Sequence, residues 1–257
     1  MLRSLLKGAR LGALRFRREE HLRIGMCEDR VLLSNGQEFV FEKNDTMSWR
    51  GAVDFLPQVL SSYRGQKASL ILADQFVHYA LLPWSDTLKT HAQWTGLARH
   101  RFAAIHGPVA EEWEVKFAET APAGPRLACA AERGLIDALA DTFNAAGVHL
   151  VSVQPFLVTA YNRVRQDTGG TCWLVIEEPG RLTLAFLQHG LWIAIRSRRV
   201  DERWRFVLPE IIERESALLG LEERCTRAIV FAQGSFDADQ HEDFRTDARG
   251  YQALVAA

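Results

Sequence analysis

The stretch VIEEPGRLTLAFLQHG, residues 175–190, has the strand-turn-strand pattern with which many nucleotide-binding folds hold phosphate. Phosphate is a negatively charged acceptor, so such a turn needs small residues with free backbone N–H groups. Pro179 has no N–H group. Each acidic neighbour of a phosphate costs up to roughly 4 kcal/mol at about 4 Å and an effective dielectric near 20. Arg181 could offset part of this cost, and one glutamate could ligate Mg²⁺. We therefore predict a structural hairpin with a plain solvated turn. The turn consists of Glu177, Glu178, Pro179, Gly180 and Arg181.

The sequence contains none of the common catalytic or metal-binding signatures. GxxxxGK, GxSxG and HExxH are absent. His91, His100 and His106 fall in one predicted helix, but their spacings of nine and six residues do not share a helix face well. The four cysteines are far apart, have no CxxC spacing and lie in or beside apolar runs. They are expected to be buried free thiols of a reducing compartment.

Composition indicates an ordinary globular protein. The 257 residues are 47% hydrophobic and 25% charged, and a formal net charge of −1 gives no support for nucleic-acid binding. The sequence has no run of about 18 apolar residues, so it predicts no membrane-spanning helix. The N-terminus lacks the apolar core of a signal peptide. We expect a cytoplasmic protein.

The N-terminal segment, residues 1–21, is basic and amphipathic. Its leucines and alanines recur at spacings of three and four, which predicts a helix with one apolar and one arginine-rich face. Such a helix can lie on an anionic membrane or dock on a partner. A frayed tail and a helix packed on its own domain are equally compatible with the pattern. The basic residues are Arg3, Lys7, Arg10, Arg15, Arg17 and Arg18.

The predicted elements fall into two similar halves. Three hairpin strands, a helix and a strand occur before residue 75 and again after residue 170. Between them, residues 76–153 have the ferredoxin-like order β-α-β-β-α-β. Pro57 is expected to kink or restart its helix, and Gly147 to end another. We predict an α/β fold with a first lobe of residues 22–75 and 154–168 and a second lobe of residues 169–257.

This layout resembles actin-like (ribonuclease H-like) proteins. Within them it resembles the cytoplasmic assembly proteins of type IV pilus and type II secretion systems, the PilM and GspL group. The resemblance spans Leu22 to Ser235 and includes three local similarities. LILADQFVHYALLPW resembles the entry into the inserted subdomain, and PRLACAAERGLIDALADTFNAAGVHLVSVQPF resembles the return from it. AIVFAQGSF resembles the late strand before the adenosine-contact turn.

The resemblance implies a nucleotide site whose motifs are degenerate here. Where the family carries Asp-x-Gly followed by Ser or Thr, this chain has Arg23, Ile24, Gly25, Met26 and Cys27. At the third site, Gly234 and Ser235 keep one glycine of the usual pair. We expect a pseudo-ATPase without cofactor or metal; the alternative is a MgATP-binding protein.

The resemblance also implies a role as a scaffold. The expected partner is a membrane-embedded protein of the assembly platform or its cytoplasmic tail, with the motor ATPase as a further candidate. Family members capture short cytoplasmic tails at the inserted subdomain and the cleft beside it. Trp84 and the basic N-terminal residues are candidate partner or inner-membrane contacts. The alternatives are a nucleotide-gated switch and an unrelated small-molecule enzyme.

Overall fold

The computed structural model describes residues 22–42, 49–118, 124–221, 225–232 and 245–256. The basic residues of the predicted N-terminal helix, from Arg3 to Arg18, lie outside these ranges. Gly234 and Ser235 of the predicted third site also lie outside them.

The first half of the chain supplies four strands and one helix. These are β1 (Leu22–Met26), β2 (Arg30–Leu33), β3 (Glu38–Val40), α1 (Arg50–Leu60) and β4 (Lys67–Leu72). The middle supplies β5 (His78–Leu82), α2 (His91–His106), β6 (Trp113–Phe117), β7 (Arg126–Glu132), α3 (Arg133–Ala146), β8 (His149–Pro155) and α4 (Phe156–Val164). The last third supplies β9 (Thr171–Glu178), β10 (Arg181–Gln188), β11 (Leu191–Arg199), α5 (Leu208–Leu218), β12 (Arg227–Ala232), β13 (Arg245–Gly250) and α6 (Gln252–Val255).

The two lobes contain sheets of identical topology. The first has the order β3-β2-β1-β4-β8 and the second the order β11-β10-β9-β12-β13. In each sheet the three hairpin strands are antiparallel and the two following strands are parallel. The repeated strand and helix order predicted from the sequence is therefore confirmed.

The inserted subdomain pairs its strands differently from the ferredoxin-like prediction. The order β5-α2-β6-β7-α3-β8 is present, but among the described strands the small sheet contains β5, β7 and β6 and not β8. β8 instead pairs in parallel with β4, whose apolar residues are buried and need a neighbour on both sides. α3 accordingly packs against α1 of the first lobe. The insert proper is therefore residues 78–132 instead of 76–153.

Helix boundaries follow the local sequence signals. Thr90 forms a capping box with Gln93 at the start of α2, and Gly147 ends α3 in the left-handed region at φ 70°. α1 passes through Pro57 as one helix, so the predicted restart does not occur. Among the described residues, no helix is long and apolar enough to cross a membrane.

One apolar core joins the two lobes. α4 and α6 lie between the two sheets, and their side chains pack with residues of both. The cluster includes Ile24 of β1, Leu157 of α4, Ile176 of β9, Ile229 of β12 and Leu254 of α6. Two smaller clusters lie under α5 and under α2.

Candidate functional site

Gly25 and Met26 were predicted to form the first phosphate turn, but both lie within β1. The connection to β2 is Cys27–Asp29, closed by a hydrogen bond from Cys27 N to Arg30 O of 2.9 Å. Met26 is fully buried. A Cβ at position 25 would lie 2.9 Å from Cγ2 of Val255 on α6. Glycine at this position allows a helix to approach the strand closely.

The second predicted turn has a solvated tip and a buried base. Only Pro179 and Gly180 form the exposed loop, with Gly180 at φ 74° as a Pro-Gly turn requires. Glu177 and Glu178 lie in β9, and their side chains are 8% and 2% exposed. The prediction of a plain solvated turn is therefore wrong for both glutamates.

Glu178 is buried because it connects the two lobes. Its Oε1 accepts a hydrogen bond of 2.7 Å from the backbone N–H of Asp74, just after β4. Asp74 is also buried, and its Oδ1 accepts from Tyr79 Oη at 2.5 Å and from Leu157 N at 3.0 Å. Leu157 is the second residue of α4, where the helix N-terminus favours a negative charge. The ends of β4 and β9 thus meet at two carboxyl groups.

Burial makes both carboxyl groups weak acids. It raises the pKa of Asp74 from 3.8 to about 6, against the hydrogen bonds from Tyr79 and Leu157 that favour the charged form. Burial also raises the pKa of Glu178, and the charge of Asp74 raises it further. Arg181, at the start of β10, opposes both shifts. The pair therefore holds less than two negative charges near neutral pH.

Unsatisfied polar atoms mark the centre of this junction. Among the described residues, six buried side-chain oxygens lack a hydrogen-bond partner, and three of them belong to this junction. These are Oδ2 of Asp74, Oε2 of Glu178 and Oη of Tyr251. Burial raises the pKa of Tyr251, and the charges of Glu178 and Glu177 raise it further.

The C-terminal segment lies against the first hairpin, where α6 contacts β1 and β2. Tyr251 is buried beside Phe156, with ring centroids 5.6 Å apart. Its electrostatic interactions reach Cys27 of the first turn and Glu177 and Glu178 of the second. A tyrosine from the chain itself therefore lies near enough to both turns to interact electrostatically with each of them.

Two arginines hold the end of α6. Arg23 donates from Nη1 to the carbonyl oxygen of Ala256 at 2.7 Å. Arg163 of α4 donates from Nη2 to Leu254 O at 3.1 Å and also to Ala256 O. Arg23 stands where the resemblance implies an aspartate. It binds the carbonyl group of the C-cap residue of α6, and the C-terminal end of a helix favours a cation.

Other predicted residues fall outside this junction. Trp84 follows β5 and is 40% exposed. The four cysteines are free, and three of them are buried. In the part of the chain that the structure describes, no three His, Cys, Asp or Glu side chains are grouped to hold a metal ion.

Sequence reasoning missed Asp74, Tyr79 and Tyr251 as members of the site. Asp74 gave one usable signal, since it is a charged residue directly after a continuous apolar strand. Tyr251 gave none, because its partners are more than 70 residues away in the chain.

Comparison with solved structures identifies the architecture. No family model and no curated protein matches the chain by sequence. The PilM-PilN type IV pilus biogenesis complex contains a chain that matches with a TM-score of 0.63 and 12% identity over 93% of this chain and 91% of that one. The fold is actin-like.

Two further structures support this assignment. The cytoplasmic domain of EpsL, an inner membrane component of the type II secretion system of Vibrio cholerae, matches with a TM-score of 0.56 and 10% identity. That match covers 91% of this chain and 92% of the domain. A protein of Bacteroides thetaiotaomicron with an actin-like ATPase fold and unknown function also gives 0.56 and 10%, over 84% and 82%. The predicted resemblance to the PilM and GspL group is confirmed at the level of the fold.

Proposed function

We propose that this chain is a non-catalytic actin-like scaffold of a type IV pilus or type II secretion assembly platform. It binds a membrane-embedded partner, or that partner's cytoplasmic tail, from the cytoplasmic side. Support comes from the likeness, over more than 90% of this chain, to a chain of the PilM-PilN type IV pilus biogenesis complex and to the cytoplasmic domain of EpsL from a type II secretion system. The insert and the cleft beside it are the proposed partner site, and the motor ATPase is a second proposed contact.

We also propose that the protein carries out no nucleotide chemistry, because of the residues at the junction between the two hairpins. Acidic Glu178 and Asp74 stand there with Tyr251, and all three are buried. A triphosphate would meet carboxyl groups where it needs N–H donors, so ionic repulsion and steric overlap both oppose it. We propose that the protein works without cofactor.

The second candidate function is an ATP-binding switch that uses unorthodox turns. Half-buried Arg181 favours this alternative, since it supplies positive charge beside the second turn. Under this alternative, MgATP at 100 times its Kd would stabilise the protein by about 2.7 kcal/mol. A melting temperature that is unchanged by excess MgATP contradicts it.

One binding experiment separates the two functions. The full chain is titrated against the cytoplasmic segments of the membrane proteins encoded beside its gene, by biolayer interferometry with and without MgATP. The scaffold predicts that one segment binds with the same Kd in both conditions. A Kd that changes with MgATP supports the switch, and binding of no segment in either condition contradicts both proposals.

A further inference from the structure

The side chain of Arg126 is surrounded by aromatic rings at the end of the insert that lies away from the lobe junction. The guanidinium carbon of Arg126, the first residue of β7, is 4.3 Å from the ring centroid of Trp94. The rings of Trp84 and Phe117 lie 5.7 and 5.8 Å away. We call these four residues the Arg126 surface. Distances below about 6 Å place the cation within range of attraction by each ring.

Arg126 has no acidic partner among the described residues. Its Nε is buried and lacks a hydrogen-bond partner there. By contrast, Arg30, Arg198 and Arg249 each form an ion pair with a described carboxylate. A guanidinium that is held in place and has no acidic partner among the described residues is pre-organised to receive an acceptor.

The surface is accessible and distant from the lobe junction. Trp84 is 40% exposed, whereas Trp94 is buried and fixes the position of the cation. Leu82 at the end of β5 pairs with Arg126. Because β5 begins at His78, this end lies about 13 Å along the strand from its junction end. Exposed tryptophan next to arginine is the composition enriched at binding hot spots.

We propose that the Arg126 surface is a docking site for a partner segment that brings an Asp or Glu carboxylate to Arg126 and an apolar group to Trp84. A carboxylate matches the planar fork of a guanidinium. Exposed Asp86, two residues from Trp84, disfavours polyanions such as nucleic acid or an anionic membrane. This contact is additional to the proposed cleft site and does not depend on it.

The test uses peptides as the probe. The full chain is immobilised and panned against a random 12-residue phage-displayed library, and selected peptides are synthesised and titrated. We expect peptides with an acidic residue at a fixed distance from an apolar one. Their Kd should rise at least about tenfold in Arg126→Gln and in Trp84→Ser. Replacing the peptide's acidic residue by its amide should weaken binding to the wild type and leave binding to Arg126→Gln unchanged.

Matched variants separate docking from folding. Arg101→Gln removes an exposed arginine from α2 of the same insert and should bind the peptides as the wild type does. Arg126→Lys keeps the charge, is expected to remain folded, and should lose the affinity that depends on the planar fork. Peptides that bind Arg126→Gln as tightly as the wild type, peptides without an acidic position, or a failure to select any peptide would each overturn the proposal.

Discussion

At the scale of single residues, Asp74 and Glu178 hold the lobes together at an electrostatic cost. Glu178 accepts the Asp74 N–H, so the bond itself joins the end of β4 to the end of β9. The pKa of Asp74 is raised from 3.8 to about 6, which corresponds to about 3 kcal/mol of destabilisation once the group is ionised. The folded protein therefore binds more protons than the unfolded chain between these values, and stability falls as pH rises through them.

The first prediction concerns this cost. Glu178→Gln keeps the acceptor for Asp74 N–H and removes one ionisable group next to Asp74. We expect a higher melting temperature than the wild type at pH 7.5. Between pH 4 and 7, we also expect a weaker decline of melting temperature with pH. Calorimetry or fluorescence-detected unfolding across this pH range measures both.

Glu213→Gln is the control for the acid-pair prediction, since it removes an exposed carboxylate from α5. It should leave the pH dependence as in the wild type. If Glu178→Gln and the wild type lose stability in parallel as pH rises, the two carboxyl groups are not coupled and the electrostatic account is incorrect.

At the scale of elements, α6 depends on the absence of a side chain at Gly25. A Cβ there would lie 2.9 Å from Val255 Cγ2 and 3.3 Å from Leu32 Cβ. We expect Gly25→Ala to destabilise the protein by about 1–3 kcal/mol, because α6 or β2 must shift. For a chain of this length, each kcal/mol lowers the melting temperature by about 2–4 °C.

A double-variant cycle tests the origin of that effect. In the Val255→Ala background, Gly25→Ala should cost less, because the closest contact has been removed. Gly96→Ala is the matched control, since it lies in α2 with no atom within 4 Å of its added Cβ. We expect it to be neutral or stabilising, as alanine favours a helix over glycine. An equal cost of Gly25→Ala in both backgrounds would show that α6 is not the cause.

The elements with strong apolar periodicity could be predicted from the sequence, and pairings over long distances could not. The bounds of β9, β10 and β11 could be predicted closely, because each strand is an apolar run bounded by turn residues. β13 was missed, since its RTDARG sequence has no apolar pattern and it lies at the edge of its sheet. The buried Glu178 was missed for a similar reason: two glutamates before Pro-Gly favour solvent exposure, and only the distant Asp74 N–H explains their burial.

At the scale of the whole molecule, the basic segment of residues 1–21 is proposed to supply the membrane contact. Each Lys or Arg near an anionic surface contributes about 1 kcal/mol, and the segment has six. Deleting residues 1–21 should move the protein from the membrane to the soluble fraction of lysed cells, as measured by flotation and immunoblotting. The deletion ends before Leu22, where β1 begins, so the described core is retained.

Replacing all six basic residues by glutamine keeps the length of the segment and should have the same effect as the deletion. Fractionation that is unchanged in both variants would leave the segment without a membrane role. Loss of membrane association only in the deletion would assign the contact to the apolar face of the segment.

The apolar core that α4 and α6 share with both sheets has a mechanical consequence. If the lobes rotated apart, they would expose the packed side chains of Leu157, Ile176 and Leu254 to water, at about 25 cal/mol for each Å² of apolar surface. The hydrogen bond between Asp74 and Glu178 would break in the same movement. Rotation of one lobe against the other is therefore energetically opposed. If the proposed scaffold binds two partners, load applied by one would pass to the other through a body whose lobes resist rotation.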